Sequence, residues 1–219
     1  DVDAALAEGA TPTPERMLEL HRRLVRVFSA EVEVFERKLF ASLSHESNKA
    51  MNLNAYLGLM GGHFIRVETP DGVVLRPVEE PTSDSFSVHR PDYVLTLDAD
   101  SLLLPEYCLR LVYELEQPGN ERVAVIQTPY SAFRGAPTRI ERLAGATTDL
   151  QHVLHQGLSR HGATFWVGAN AIIRREALED IERTEVVHGV RVHRYVQDRT
   201  PIEDTESSVD LVAHGWSLH

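Results

Sequence analysis

The spacing of hydrophobic residues changes along the chain, and these changes predict the order of helices and strands. After Thr13-Pro14, which reads as an N-cap and first helical residue, apolar residues recur three or four apart, as in a helix. A second helix is predicted over 47–60 and ends at Gly61-Gly62. Apolar runs then flank Thr69-Pro70-Asp71-Gly72, a turn sequence that predicts a hairpin. The polar segment 79–90 is predicted as a surface loop.

Strands and helices alternate from residue 93 onward. Short apolar runs predict strands over 93–97, 123–126 and 165–167, and 186–195 is strand-like. Helical spacing predicts helices over 105–115, 138–160, 174–181 and 205–214. This alternation indicates an α/β fold.

The strand 93–97 leads directly into Asp98-Ala99-Asp100. A buried strand that ends in two carboxylates places them at the carboxyl edge of the sheet, where open α/β sheets bind ligands. Carboxylates suit Mg²⁺ or Mn²⁺, and a metal held there can hold a diphosphate. The pattern therefore predicts transfer of a group from a nucleotide diphosphate. Asp1-Val2-Asp3 has the same spacing but no strand before it.

Two further segments carry candidate chemistry. Gln127 follows the strand 123–126, again at a carboxyl edge, and Phe165-Trp166 precede Gly168. A glycine beside two large rings predicts that the backbone comes close to something at Gly168. Aromatic rings stacked on a flat apolar face can hold a sugar, and the alternative is a core tryptophan with a structural glycine. Glu203-Asp204 begin the last helix, where acids stabilise the positive end of the helix dipole and where a carboxylate stays ionised as a base. These two roles are compatible.

Composition limits the class of partner. The formal net charge of −11 argues against nucleic acid, because binding to phosphates requires a basic surface. The single cysteine, Cys108, excludes an internal disulfide. The length of 219 residues suffices for one large α/β domain. No apolar stretch reaches the roughly 18 residues that span a bilayer.

Several segments occur in one order: Lys49-Ala50-Met51-Asn52-Leu53-Asn54, Asp98-Ala99-Asp100, Gln127-Thr128-Pro129, 165–171, Ile202-Glu203-Asp204 and Gly215-Trp216. Together they resemble the catalytic domain of family 2 glycosyltransferases, closest to the cellulose-synthase-like processive branch. The resemblance covers residues 47–60 and 92–219. Met51 stands where the family has glycine, and Ile202 where it has threonine.

The resemblance implies roles for the matching residues. Asp204 corresponds to the general base. The positions implied to bind the nucleotide sugar are Lys49, Asn52, Asn54, Asp98 and Asp100. Asp98 and Asp100 form the implied metal motif, with Asp100 as the direct ligand. The positions implied to bind the acceptor are Gln127, Phe165, Trp166, Gly168, Asn170 and Glu203.

The same resemblance implies the GT-A nucleotide-sugar fold, with a mostly parallel sheet and flanking helices. The implied reaction is inverting transfer of a sugar, by default glucose, from a UDP-sugar to a glycan hydroxyl with Mg²⁺ or Mn²⁺. The family's first nucleotide-binding strands and its Gln-x-x-Arg-Trp motif have no match here. We therefore expect residues 1–219 to form one partial catalytic domain, inactive alone, with an inserted hairpin and loop at 63–91. The resemblance also implies transmembrane helices outside this chain and a place at the cytoplasmic face of a membrane.

Three other functions stay open on the sequence. A non-catalytic regulatory or interaction domain could keep the transferase fold. A glycoside hydrolase could use two of Asp98, Asp100 and Asp204 as its carboxylate pair. A nucleotidyltransferase would release pyrophosphate rather than a nucleoside diphosphate. His152 and His155 lie at i, i+3 on one predicted helix, but no acidic or cysteine partner shares their spacing, which favours a structural or exposed role over a metal site.

Overall fold

The structure, a computed structural model, describes residues 13–28, 33–99, 101–131, 135–168 and 170–219. The chain forms two compact units, Asp1–Phe35 and Glu36–His219. The first unit contains helix α1, Pro14–Phe28. The Thr13 hydroxyl accepts a hydrogen bond from the Arg16 backbone N–H at 3.3 Å, so the predicted N-cap is confirmed.

The second unit starts with a 3₁₀ turn, Arg37–Leu39, and helix α2, Lys49–Leu57. A three-stranded antiparallel sheet follows, in the order β2-β1-β3. Its strands are β1, His63–Thr69, β2, Gly72–Val78, and β3, Ser85–Ser87. The hairpin predicted around Pro70-Asp71 is confirmed. The loop predicted over 79–90 is wrong at 85–87, because Phe86 packs against Phe64 and its strand pairs with the free edge of β1.

The central sheet has the order β4-β6-β5-β9. Its strands are β4, Tyr93–Thr96, β5, Val123–Gln127, β6, Ala171–Arg174, and β9, Ser217–Leu218. β6 is antiparallel to both neighbours and β5 is parallel to β9, so three of the four strands share one direction. The helices between them are α3, Tyr107–Leu115, α4, Arg139–Arg160, α5, Arg175–Asp180, and α6, Glu203–Ala213.

Two hydrophobic clusters cover the two faces of this sheet. On one face α2, α5 and α6 pack around Val94 and Ile173, and on the other face α3 packs around Leu95 and Ile172. Adjacent strand residues thus point to opposite faces, as the two-residue period of a strand requires. A sheet with helices on both faces is an α/β fold, as predicted, and it agrees with the GT-A class.

Two strand predictions differ from the structure. The segment predicted as one strand over 186–195 is a hairpin, β7, Arg183–Val187, and β8, Val190–Arg194. Its turn residues His188 and Gly189 have φ of 51° and 82°, the left-handed pair of a tight hairpin turn. The segment 165–167 is not a strand, because part of its backbone bonds to the Gln127 side chain rather than to another strand.

Asn54 joins α2 to the segment that follows β8. Its side-chain oxygen accepts from the backbone N–H groups of Tyr195 and Val196 at 2.9 and 2.8 Å. Its amide nitrogen donates to the Val196 carbonyl at 2.7 Å. The residue is 0% exposed. The Asn54 side chain therefore provides the buried backbone groups of Tyr195 and Val196 with the hydrogen bonds that a neighbouring strand would otherwise provide.

We expect Asn54→Leu to destabilise the fold by about 2–4 kcal/mol, because two buried N–H groups lose their acceptor. Chemical denaturation followed by circular dichroism would measure the free energy of unfolding. Asn120→Leu is the matched control, since that amide donates one exposed bond, to the Glu114 carbonyl, and we expect a loss of about 0.5–1 kcal/mol. Equal losses in the two variants would contradict the role assigned to Asn54.

Candidate active site

The strand register brings three predicted motifs to one edge of the central sheet. Ala171, the first residue of β6, pairs with Thr96 at the end of β4 and with Gln127 at the end of β5. The residues after Thr96, those after Gln127 and those before Ala171 therefore leave the sheet side by side. Asp98 and Gly168 belong to these segments. Motifs far apart in sequence share one location.

Lys49 and Asp98 meet at this edge. The Lys49 Nζ forms an ion pair with Asp98 Oδ1, and the two side chains are 46% and 45% exposed. Lys49 is the first residue of α2, whose N-cap Asn48 accepts from the Met51 N–H at 2.6 Å. The positive end of a helix and an ammonium group thus adjoin a carboxylate, an arrangement suited to binding a cation together with a phosphate.

Asn52, on the same helix, accepts a hydrogen bond from Arg37 Nε at 3.0 Å. The buried Arg37 also donates to the carbonyls of Ser44 and Glu46. Burial lowers the pKa of Arg37, and the nearby Glu46 charge opposes that shift. Asn52 is exposed in this arrangement, whereas Asn54 is enclosed among backbone groups. A side chain with no exposed surface offers a ligand no contact, so the structure gives Asn54 a positioning role.

Asp204 lies against Gly168. A β-carbon added at Gly168 would be 2.9 Å from Asp204 Oδ2. Gly168 also has φ +84°, a conformation that residues with a side chain rarely adopt. The sequence predicted that a backbone approaches something closely at this glycine. In the structure the neighbour is the carboxylate predicted to act as the base.

The first turn of α6 fixes Asp204. Its Oδ1 accepts from the Thr205 N–H at 2.7 Å. The buried Ser208 hydroxyl donates to the Asp204 carbonyl at 2.8 Å and accepts from the Trp166 N–H at 2.9 Å. One serine therefore binds both the helix that carries the base and the loop that carries Gly168. Ser208 was not predicted from the sequence, although its place four residues after Asp204 puts both residues on one helix face.

Gln127 fixes the other side of the same loop. Its amide nitrogen donates to the Phe165 carbonyl at 2.6 Å, and its amide oxygen accepts from the Val167 N–H at 3.0 Å. Both ends of this amide are occupied by backbone. In the structure Gln127 holds the predicted acceptor loop in place.

The two aromatic residues of that loop differ. Trp166 is 1% exposed and packs in the core. This position agrees with the alternative of a core tryptophan, and the ring has no surface on which a sugar could stack. Phe165 is half-buried and meets the His155 ring edge-on, with centroids 4.5 Å apart. The His155 Nδ1 lies 2.9 Å from the Thr164 hydroxyl. Burial, assisted by the nearby His152, lowers the pKa of His155, which favours the neutral imidazole.

Asn170 completes the loop with a positive φ of 55°, which asparagine tolerates better than most residues. Its carbonyl accepts from the Tyr107 hydroxyl, which in turn accepts from the Thr128 hydroxyl at 3.1 Å. Burial raises the pKa of Tyr107. Tyr107 was not singled out in the sequence, and it links α3, β5 and the loop. Glu203 is partly exposed beside Asp204 at the start of α6.

The donors for a metal are partly visible. Asp98 offers a half-exposed carboxylate, an oxygen ligand of the kind that Mg²⁺ or Mn²⁺ takes, and Lys49 pairs with that carboxylate in this structure. Asp100, the ligand implied to be direct, lies outside the described residues. Within the ranges that are described, no three His, Cys, Asp or Glu side chains cluster as a metal site. Asp98 and Asp100 as a metal pair stay a prediction.

A cavity of about 630 Å³ lies beside the loop. Gln127, Thr128 and Val167 line one side, and α4 lines the other with residues that include His152 and His155. The sequence predicts these histidines to be structural or exposed. The helical spacing of polar residues along α4 is the sequence signal from which this side of the cavity could have been predicted.

Comparison with known proteins defines the class. A family model described as "Glycosyl transferase family group 2" matches residues 93–219, more than half of the chain. The chain therefore belongs to glycosyl transferase family group 2. The matched region contains the central sheet, the loop 165–168 and α6.

One relative adds detail to this likeness. The chain is 28% identical over 131 residues to the "Cellulose synthase catalytic subunit [UDP-forming]" of Komagataeibacter sucrofermentans. The match covers 58% of this chain and 16% of that relative. Across the described part of the chain, no helix has the length and apolar character needed to cross a bilayer.

We expect Gly168→Ala to destabilise the protein more than Gly162→Ala does. Both glycines have positive φ, so both variants carry a backbone cost of about 1–2 kcal/mol. Only at Gly168 does the new β-carbon also press on Asp204, since nothing lies within 4 Å of it at Gly162. Thermal and denaturant unfolding of both variants would measure the difference. Equal destabilisation would mean that Gly168 and Asp204 do not contact each other.

Proposed function

We propose that this chain is the catalytic part of an inverting glycosyltransferase that moves a sugar, by default glucose, from a UDP-sugar to a glycan hydroxyl. The observation that carries the proposal is the contact between Gly168 and Asp204 at the sheet edge that also holds Asp98. It fixes a carboxylate against the loop whose Val167 lines the cavity, and the Lys49–Asp98 ion pair lies at the same sheet edge. The family membership and the UDP-forming relative support the same reaction.

Asp204 is assigned as the general base. The acceptor hydroxyl gives its proton to the Asp204 carboxylate while its oxygen forms a bond to the anomeric carbon. The bond from that carbon to the diphosphate breaks, and the leaving UDP takes the electron pair. Attack from the side opposite the leaving group inverts the anomeric centre. Asp204 suits this role because its carboxylate is partly exposed and is fixed by the Thr205 N–H.

Lys49 and Asp98 are assigned to the donor side, and Asn52 is assigned to it from the resemblance. The Lys49 ammonium, at the positive end of α2, can pair with a phosphate oxygen of the donor. Asp98 and Asp100 would hold the divalent cation, which supplies positive charge beside the departing diphosphate when bound. Asn54 supports these donor-side residues indirectly, because its buried side chain binds α2 to the backbone of residues 195–196.

Phe165, Gly168, Asn170 and Glu203 are assigned to the acceptor side. Gln127 and Trp166 are assigned as the residues that hold the loop, through hydrogen bonds and core packing. The UDP-sugar donor and the glycan acceptor are thereby assigned to two different sets of residues around Asp204. Attachment to the cytoplasmic face of a membrane, through helices outside these residues, belongs to the same proposal.

We expect Asp204→Asn to lower sugar transfer by about 10²–10⁴-fold, because an amide cannot take the acceptor proton. UDP release from UDP-glucose by the protein in its natural full length, with Mn²⁺ present, would measure it. Glu206→Gln is the matched control: it removes one negative charge from the same exposed helix turn and should keep activity. Activity of Asp204→Asn close to that of the control would remove the base assignment. No UDP release by the unmodified protein would favour a non-catalytic domain.

We expect Asp98→Asn to reduce UDP affinity about tenfold in Mn²⁺, because it removes one charged ligand of the cation, and not to reduce the metal-free affinity, because the loss of that charge leaves Lys49 free for a phosphate. Calorimetric titration of UDP with and without Mn²⁺ would measure both. Asp92→Asn is the control, since Asp92 is exposed just before the other end of β4. A metal effect of equal size in all three proteins would contradict the donor-side assignment.

A further inference from the structure

Arg37 lies outside the segments that resemble the glycosyltransferase family and outside the matched residues 93–219, yet it contacts a residue assigned to the donor side. It is 4% exposed and begins the 3₁₀ turn before α2. Its guanidinium donates to the carbonyls of Ser44 and Glu46, the latter at 2.5 Å. A third bond runs from Nε to the Asn52 side-chain oxygen at 3.0 Å. One buried cation thus joins the segment before α2 to that helix.

The contact with Arg37 fixes the orientation of the Asn52 amide. A guanidinium group carries five N–H donors and no acceptor, so the amide atom beside Nε must be the oxygen. The reverse orientation would bring an NH₂ group against the guanidinium and leave a buried donor unpaired. The Asn52 amide nitrogen is therefore left for another partner, and it makes no hydrogen bond to any other described residue.

Asn52 lies on the exposed side of α2, next to Lys49. The two residues are three positions apart, which makes their side chains neighbours on the helix surface. Both side chains are exposed. Asn54, two positions further on, lies on a different side of the helix and is fully buried. The Lys49 ammonium and the Asn52 amide nitrogen are therefore groups that α2 can offer to a ligand.

These two groups donate hydrogen bonds, and neither accepts one. The acceptor of the Asn52 side chain, its oxygen, faces Arg37 instead. A ligand group that only accepts hydrogen bonds matches this surface, and the oxygens of a diphosphate are of that kind. A ligand hydroxyl or N–H group would find no acceptor on either of the two groups. The contact with Arg37 thereby sets which ligand chemistry Asn52 can bind.

We propose that Arg37 is a positioning residue for donor binding, because its bond to the Asn52 oxygen leaves the Asn52 N–H groups for an oxygen of the donor's diphosphate. This inference rests on the proposed function and adds a residue to it. Arg37 does not touch the ligand and acts through Asn52. Its bonds to the carbonyls of Ser44 and Glu46 hold the guanidinium in place, so the amide is oriented before a ligand binds.

Titration of UDP with Mn²⁺ into the protein in its natural full length tests the orientation of Asn52. Asn52→Ala should weaken UDP binding about ten- to hundredfold, the effect of one lost hydrogen bond to a charged group. Asn52→Asp should weaken it further, because its carboxylate still accepts from Arg37 but repels the diphosphate. The thermal unfolding midpoint of Asn52→Asp should not fall, since the buried guanidinium keeps its acceptor. UDP binding by Asn52→Asp as tight as by Asn52→Ala would overturn the inference.

A double-mutant cycle tests whether Arg37 acts through Asn52. Arg37→Met removes all three bonds of the guanidinium and should weaken UDP binding about three- to tenfold. In the Asn52→Ala background the same change should alter UDP affinity by less than about twofold. Lys38→Gln is the matched control: Lys38 belongs to the same turn, donates one exposed bond to the Ser47 hydroxyl, and its loss should not change UDP affinity.

The outcomes separate this inference from the proposed function. An equal loss on Arg37→Met in both backgrounds would mean that Arg37 does not act through Asn52 and would overturn the inference. UDP binding that Asn52→Ala leaves unchanged would overturn the inference alone and keep the transferase assignment. No UDP binding by the unmodified protein would overturn both.

Discussion

The whole candidate site depends on the register of one antiparallel strand. β6 lies between β4 and β5, and its first residue, Ala171, pairs with the last residue of each. Ala171 is fully buried, so the register cannot slip by one residue without turning the strand's buried side chains to the wrong faces. Because of this pairing, the loop that precedes β6 lies between the ends of β4 and β5. Every proposed contact between donor, acceptor and base follows from that position.

Buried polar groups, in addition to apolar packing, hold the helices and the loop of the candidate site in place. Asn54 binds the backbone of residues 195–196, Gln127 binds that of Phe165 and Val167, and Ser208 joins Trp166 to Asp204. Buried hydrogen bonds of this kind are directional and costly to leave unpaired. They therefore fix the loop and the predicted base in specific positions, whereas apolar contacts are non-directional and would not do so alone. The residues of the resembling motifs therefore fall into two groups. Asn54, Gln127 and Trp166 stabilise the site through buried contacts, whereas Lys49 and Asp98 are exposed at it.

The helix α4 forms one side of the cavity beside the loop. Polar residues between positions 148 and 159 line that cavity, whereas Leu150, Val153 and Leu154 are exposed, which is the reverse of a helix packed on a hydrophobic core. The capping box at its start, in which Thr138 and Glu141 bond each other's backbone, fixes where the helix begins.

The sequence by itself determined the class of fold and the position of most elements, because hydrophobic period and turn residues are local properties. The family resemblance added Asp204 as the predicted base. The sequence also predicted a close approach at Gly168, since glycine beside bulky residues indicates limited space. Only the tertiary structure showed that Asp204 is the group next to that glycine and that the side chains of Trp166 and Asn54 are buried. It also showed that the backbone of residues 165–167 bonds to the Gln127 side chain instead of a strand. It alone revealed Ser208, Tyr107 and the α4 cavity. The reason is physical: burial and pairing depend on residues that lie far away in the chain, and no local pattern records them.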